Sequence, residues 1–286
     1  MTEFILNIMK ALVILNFPLF ILLSYLPKDY HLDGSDIILN YQLEKLNKSK
    51  SLKIGFFGDS SCGNAIDASV FGEQSLNLSL VGAYNLSGTL KMIKKTHQSG
   101  HKLDTAIIIH TLDVFSRKNN LDEKFEKNYS YNEIFRRKFK IFIKKLINSD
   151  HKYLFVNKNM IENDYLMQNK DQHPIKVQNN FILDEPLSAK NMNIIDSIVE
   201  YCNEQEIVYL FLIGPNVNIL QNENYNSILK FFRENNYNFS NIFYDINSDN
   251  VGDGNDHVRY SYKLESSKFY KDQIRKFFKK KSKNIR

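Results

Sequence analysis

From Ile54 onward the chain alternates short apolar runs with longer stretches in which apolar residues recur at helical spacing, and this alternation limits the folds open to it. The runs Ile54 to Phe57, Ser75 to Leu80, Thr105 to His110, Tyr153 to Val156 and Ile207 to Ile213 have the length and composition of buried strands. Between them Gly88 to His97, Tyr131 to Ile147 and Asn191 to Gln205 read as helices. Strands separated by helices pair in parallel, and a parallel sheet needs cover on both faces, so the expected class is α/β with a mostly parallel sheet. Such sheets bind ligands beyond the carboxyl ends of their strands. That is where Ser60, Gly82, Asp113 and Gly214 emerge. The stretch Asn157 to Lys190, rich in Asn, Gln, Lys and Asp and without periodicity, reads as an excursion from the sheet.

The chain has 286 residues, 43% of them hydrophobic, enough for one substantial core without covalent staples. Its two cysteines, Cys62 and Cys202, are far apart in sequence and read as small core residues. The net charge of +6 accompanies heavy use of Lys and Asn. The one compact basic run, Lys279-Lys280-Lys281-Ser282-Lys283, follows Phe277 and Phe278 without interleaving with them, so it lacks the stacking platform of a nucleic-acid site. It reads as the solvated end of a terminal helix, and no nucleic-acid partner is expected.

Phe4 to Leu26 is apolar apart from Asn7, Lys10, Asn16, Pro18 and Ser24, close to the roughly 20 residues that span a bilayer. It leaves through Ser24-Tyr-Leu-Pro27-Lys-Asp-Tyr30 and not through the small residues of a cleavage site, which predicts an uncleaved signal anchor over 4–26. Lys10 precedes the most apolar part, while Lys28 and Asp29 cancel, so the expected arrangement is a single-pass membrane protein with its body outside the cytoplasm. A buried or interfacial apolar helix is the alternative, and Asn7, Lys10 and Asn16 would suit it. Residues 27–52 read as a polar linker, 53–278 as the folded domain and 279–286 as a basic tail.

Within that domain Ser51 to Ala65 runs from an apolar strand through Gly58-Asp59-Ser60 into a helix, which presents a hydroxyl at the carboxyl end of the strand. Asp253-Gly-Asn-Asp256-His257 stands near the far end. A serine hydroxyl is a poor nucleophile unless a base takes its proton, commonly a histidine held in one tautomer by a carboxylate. His257 is the candidate base. Asp253 is the candidate orienting acid, since Asp256, adjacent to the histidine, would point its side chain away; Asp256 is kept as the alternative. Gly252 and Gly254 would let the backbone turn there. The N–H groups of Ser60 and Ser61 at a helix start suit an oxyanion. Simpler roles stand beside these: Asp59 as a helix cap, Asn77 and Gly82 as turn residues, Asp113 as a pin for the loop after the third strand. His97 and His101 flank Gly100 without the Glu of a zinc-protease helix, and no metal is expected.

Gly58-Asp59-Ser60 after a strand, Asn77-Leu-Ser-Leu-Val-Gly82, His110-Thr-Leu-Asp113 and the late Asp/His pair resemble the blocks of the SGNH/GDSL hydrolase superfamily, from about Lys53 to the C-terminus. The resemblance implies a flavodoxin-like α/β/α sandwich, with Ser60 as nucleophile, His257 as base and the N–H groups of Ser60 and Gly82 as oxyanion donors. Asp59, Asn77, Thr111 and Asp113 would surround the substrate. The family's third block is usually Gly-x-Asn-Asp, whose Asn adds an oxyanion donor; here Thr111 or nothing takes that place. Its last block usually sets Asp three residues before His, whereas Asp253 and Asp256 lie four and one before. The implied function is that of a membrane-anchored serine esterase or O-acyltransferase, without cofactor, acting through an ester on Ser60. Its expected partners are an acylated cell-envelope glycan or a small acyl ester, together with proteins of envelope glycan biosynthesis. The altered blocks leave a second expectation, a non-catalytic domain that binds polymer or protein partners. A third, a phosphate-binding elbow at Gly58-Asp-Ser-Ser-Cys-Gly63, lacks the Lys-Ser/Thr ending of a P-loop, because Asn64 follows Gly63.

Overall fold

The computed structural model describes residues 18–19, 21–117, 125, 129–147, 161, 181–252 and 256–284. The chain divides into two units, residues 1–37 with 126–159 and residues 38–125 with 160–286. Its strands are β1 (Ile54–Gly58), β2 (Ser75–Asn77), β3 (Thr105–His110), β4 (Val208–Ile213) and β5 (Phe239–Ser240). Its helices are α1 (Gly34–Lys48), α2 (Ser60–Ala65), α3 (Asn85–Gln98), α4 (Tyr131–Ile147), α5 (Ala189–Glu204), α6 (Glu223–Glu234) and α7 (Lys263–Asn284).

The larger unit is an α/β fold on one five-stranded sheet, every pair parallel, in the order β2-β1-β3-β4-β5. Side chains alternate across a strand, so consecutive apolar residues must be buried on both faces. Phe57, Ala106, Ile108, Tyr209, Phe211 and Ile213 face a core closed by α3, α5 and α6 through Met92, Ile198 and Phe232. Phe56, Ile107, Ile109, Leu210 and Leu212 face a second core, closed by α2 and α7 through Cys62, Ala65 and Tyr270. Helices on both faces are consistent with three layers. Side-chain caps start several of the helices: Asp59 accepts from the Ser61 N–H at α2, Ser188 from Asn191 at α5 and Asn222 from Tyr225 at α6, as Asp33 does from Asp36 at α1.

Residues 27–52 are not a linker. They form a 3-10 turn over Lys28–His31 and then α1, whose Leu39 and Leu46 are buried in the larger unit's core. Gln42 of α1 donates to the Ser79 carbonyl at 2.7 Å. The apolar positions 39, 43 and 46 have helical spacing, hidden among Asn, Gln and Lys. The two-residue β5 was too short to leave a pattern. The basic run 279–283 continues α7, and both cysteines are free and buried. The expected strand Tyr153 to Val156 and most of the excursion after it lie outside the described residues, as does most of the apolar stretch 4–26. Among the described residues no helix is long and apolar enough to cross a membrane.

Candidate active site

The site is set by where β1 stops. Gly58 has a φ of +151°, and a Cβ there would meet the Ile109 carbonyl oxygen at 1.8 Å, so only glycine lets the chain turn against β3 at this point. Asp59 follows as the cap of α2, and Ser60 is the first residue of that helix. The chain after β2 keeps pace alongside. Leu78 N donates to Phe56 O at 2.8 Å and Leu80 N to Gly58 O at 2.9 Å. Two residues beyond these paired positions come Ser60 and Gly82, brought abreast at the carboxyl edge of the sheet. Each is the first residue of a helical turn, Gly82 of the 3-10 turn Gly82–Tyr84, so their N–H groups stand ahead of the first intrahelical bond.

His257 reaches this edge from the far end of the chain: its Nε2 lies 2.8 Å from Ser60 Oγ. A short antiparallel return seats it. Val251 pairs with Val258, Gly252 N donates to His257 O at 2.7 Å, and Arg259 N donates to Asn250 O at 2.7 Å. Asp253 and Gly254 lie outside the described residues; Asp256 is half-buried beside His257. With its ring proton on Nδ1, the imidazole accepts the Ser60 hydroxyl proton at Nε2, the geometry that a general base needs.

The residues expected around a substrate divide. Asp59 is only 3% exposed and its carboxylate is fully engaged within the protein. Oδ1 accepts from Ser61 N at 2.9 Å and Ser61 Oγ at 2.5 Å, and Oδ2 from Thr111 N at 2.9 Å and Thr111 Oγ1 at 3.0 Å. His110 Nδ1 stands 3.4 Å from Oδ2. Burial pushes the Asp59 carboxyl up, but the hydrogen bond and charge of His110 and the bonds from Ser61 and Thr111 outweigh it, and the group is held well below the usual carboxylate range. Asn77, also buried, donates to the carbonyls of Cys62 at 3.1 Å and Ile66 at 2.8 Å, and accepts from Ser79 N and Oγ. Both side chains therefore fasten the turn and α2; neither is turned to a substrate. The Thr111 hydroxyl is held between Asp59 and Asp113, whose Oδ1 is 2.5 Å away. Asp113 is the member of this set that is open to solvent, at 38% side-chain exposure.

Arg117 is the residue the sequence reading missed. Its Nε donates to Asp113 Oδ2 at 2.9 Å and its Nη2 to the same oxygen. A Cβ built on Gly82 would collide with its Nη1, so the guanidinium approaches that glycine with Nη1 foremost. Spacing four residues after Asp113 was the available signal, an i,i+4 ion pair. The loop that carries it is pinned from beneath by two buried asparagines. Asn191 Nδ2 donates to the carbonyls of Val114, Phe115 and Arg117, and Asn85 Nδ2 to that of Arg117. Asp113, Ser116, Arg117 and Phe181 to Glu185 line an open groove of about 440 Å³, one edge tied by Ser116 Oγ donating to Glu185 O at 2.6 Å. Gly214, at the end of β4, packs on Ser61, whose Oγ a Cβ would meet at 2.4 Å. Among the described residues no group of three His, Cys, Asp or Glu side chains is placed to hold a metal ion. In comparisons with known proteins, no family model, curated protein or solved structure matches this chain.

Proposed function

We propose that this protein is a serine esterase or O-acyltransferase of the SGNH type, held at the membrane by its amino-terminal stretch. Its substrates in this reading are acyl esters, chiefly acetyl esters, of a cell-envelope glycan. The observation that carries the proposal is the 2.8 Å contact between Ser60 Oγ and His257 Nε2, made across 197 residues at the carboxyl end of β1. The strand order 2-1-3-4-5, that of flavodoxin-like sheets, supports the finer fold assignment.

In this reading His257 takes the proton as Ser60 Oγ attacks the acyl carbonyl carbon. The oxyanion forms against the N–H groups of Ser60 and Gly82, with the Arg117 guanidinium beside Gly82. The carbon–oxygen bond to the leaving sugar then breaks, His257 returns the proton to that oxygen, and the acyl group remains as an ester on Ser60. Water, or a second sugar hydroxyl deprotonated by the same imidazole, attacks the ester and frees Ser60. Asp253, or Asp256 in its place, orients the imidazole, and the groove beside Arg117 seats the glycan. A binding role without catalysis is the second reading, favoured by the Thr111 hydroxyl being tied to two carboxylates.

Hydrolysis of p-nitrophenyl acetate by the purified protein separates the two. Ser60→Ala and His257→Ala are each expected to lower kcat/KM at least about a thousandfold. The double variant should be no worse than the poorer single one, because the pair acts as a unit. A folded wild-type protein no faster than its variants would refute the esterase and leave the binding role or a transferase that demands its own acceptor.

A further inference from the structure

The smaller unit packs Leu23, Leu26, Tyr30 and Phe142 into a core of its own, with α4 as the longest element among its described residues. Six cations, Arg136, Arg137, Lys138, Lys140, Lys144 and Lys145, stand on α4 against a single acid, Glu133. Three of the six are engaged inward. Arg137 Nη2 pairs with Asp36 at 2.8 Å and Asp33 at 3.3 Å. Buried Lys138 donates to the carbonyls of Leu23 at 3.3 Å and Leu26 at 3.0 Å, and Lys145 Nζ lies 4.2 Å from the centre of the Tyr30 ring.

Arg136, Lys140 and Lys144 follow one another at spacings of four and are exposed. Among the described residues they have no ionic partner. Beside them lie Phe139 and Leu146, with Ile147 at the end, while Ile143 packs against the unit's core. Of these Phe139 is 39%, Leu146 45% and Ile147 73% exposed. A helix facing only water has no use for the apolar stripe, and a protein core would not take the cationic one. Adjoining stripes of the two kinds match the boundary between acyl chains and phosphate headgroups. In sequence α4 follows the apolar stretch 4–26, within which Tyr25 is 86% exposed.

We infer that α4 lies along an anionic phospholipid surface, a second membrane contact independent of the chemistry proposed for Ser60. Phe139, Leu146 and Ile147 enter the acyl boundary, and Arg136, Lys140 and Lys144 meet lipid phosphates. The test uses the full chain with Leu146→Cys carrying an environment-sensitive fluorophore; native Cys62 and Cys202 are buried and escape the label. The protein is placed in nanodiscs of phosphatidylcholine with or without phosphatidylglycerol. Discs with phosphatidylglycerol should shift the emission to shorter wavelength and allow quenching by headgroup-labelled lipid. High salt, or Arg136→Glu, Lys140→Glu and Lys144→Glu together, should abolish both effects, while ester hydrolysis is unchanged. Emission in those discs equal to that in detergent overturns the inference, as does an equal shift in neutral discs. A shift in detergent that grows with protein concentration also overturns it and assigns the face to a second copy of the chain.

Discussion

Asp59 precedes the candidate nucleophile in sequence, yet its carboxylate is turned into the protein, where Ser61, Thr111 and His110 surround it. Its folded form is held more acidic than an unfolded carboxyl, so it contributes stability that is fully present above the unfolded value of about 4. That contribution is lost as the pH falls toward the depressed folded value. Asp59→Asn should therefore lower stability at neutral pH and flatten its decline in acid, read as urea midpoints across the acid limb. Parallel declines in both proteins would contradict this account. The convergence of Ser60 with His257 was legible in the sequence because each carries a local signature, a strand running into a turn and a histidine in a glycine-rich loop. Asp59, Asn77 and Thr111, expected around a substrate, are engaged within the protein instead, because a polar residue at a strand end serves equally well as a cap or brace. Which way it faces depends on neighbours from other strands. Arg117 was missed for a similar reason: what sets it apart is its fit against Gly82, which lies on another segment.

At the scale of elements, β1 and α2 place the hydroxyl, the segment after β2 places Gly82, and the loop after β3 places Arg117. The described part of that loop up to Arg117 contains the 3-10 turn Leu112–Phe115, and Asn191 of α5 holds three of its carbonyls. Asn191→Ala removes the side-chain donor these carbonyls share, with Arg117 O keeping only Asn85 Nδ2, and is expected to cost about 2 kcal/mol in unfolding free energy. It should also lower esterase kcat/KM more than a surface substitution on α5 does; unchanged values of both would show that the loop keeps its shape without this brace. The major elements of the sheet were readable because burial on both faces forces continuous apolar runs: β3 was expected over Thr105 to His110 and is found there. Helix α1 was not readable in the same way, since its buried side carries only a few apolar residues among amides and lysines. Its packing on the larger unit's core supplies what the local pattern does not.

Across the whole molecule, the parallel sheet gathers distant pieces of chain at one edge. In-register pairing of β1 with β3 and of β3 with β4 brings Gly58, His110 and Gly214 together, with Gly214 N donating to His110 O at 2.8 Å. The return through Val251 and Val258 then carries His257 back to the hydroxyl that β1 presents. If this convergence is what makes Ser60 a nucleophile, its reactivity must depend on a residue that lies far from it in sequence. The direct measurement is labelling of the intact protein with a fluorophosphonate, followed by mass spectrometry of the peptide containing Ser60. The account predicts a covalent adduct on Ser60 in the wild-type protein and its near-complete loss in folded His257→Ala. An unlabelled Ser60, or equal labelling with and without His257, would contradict it.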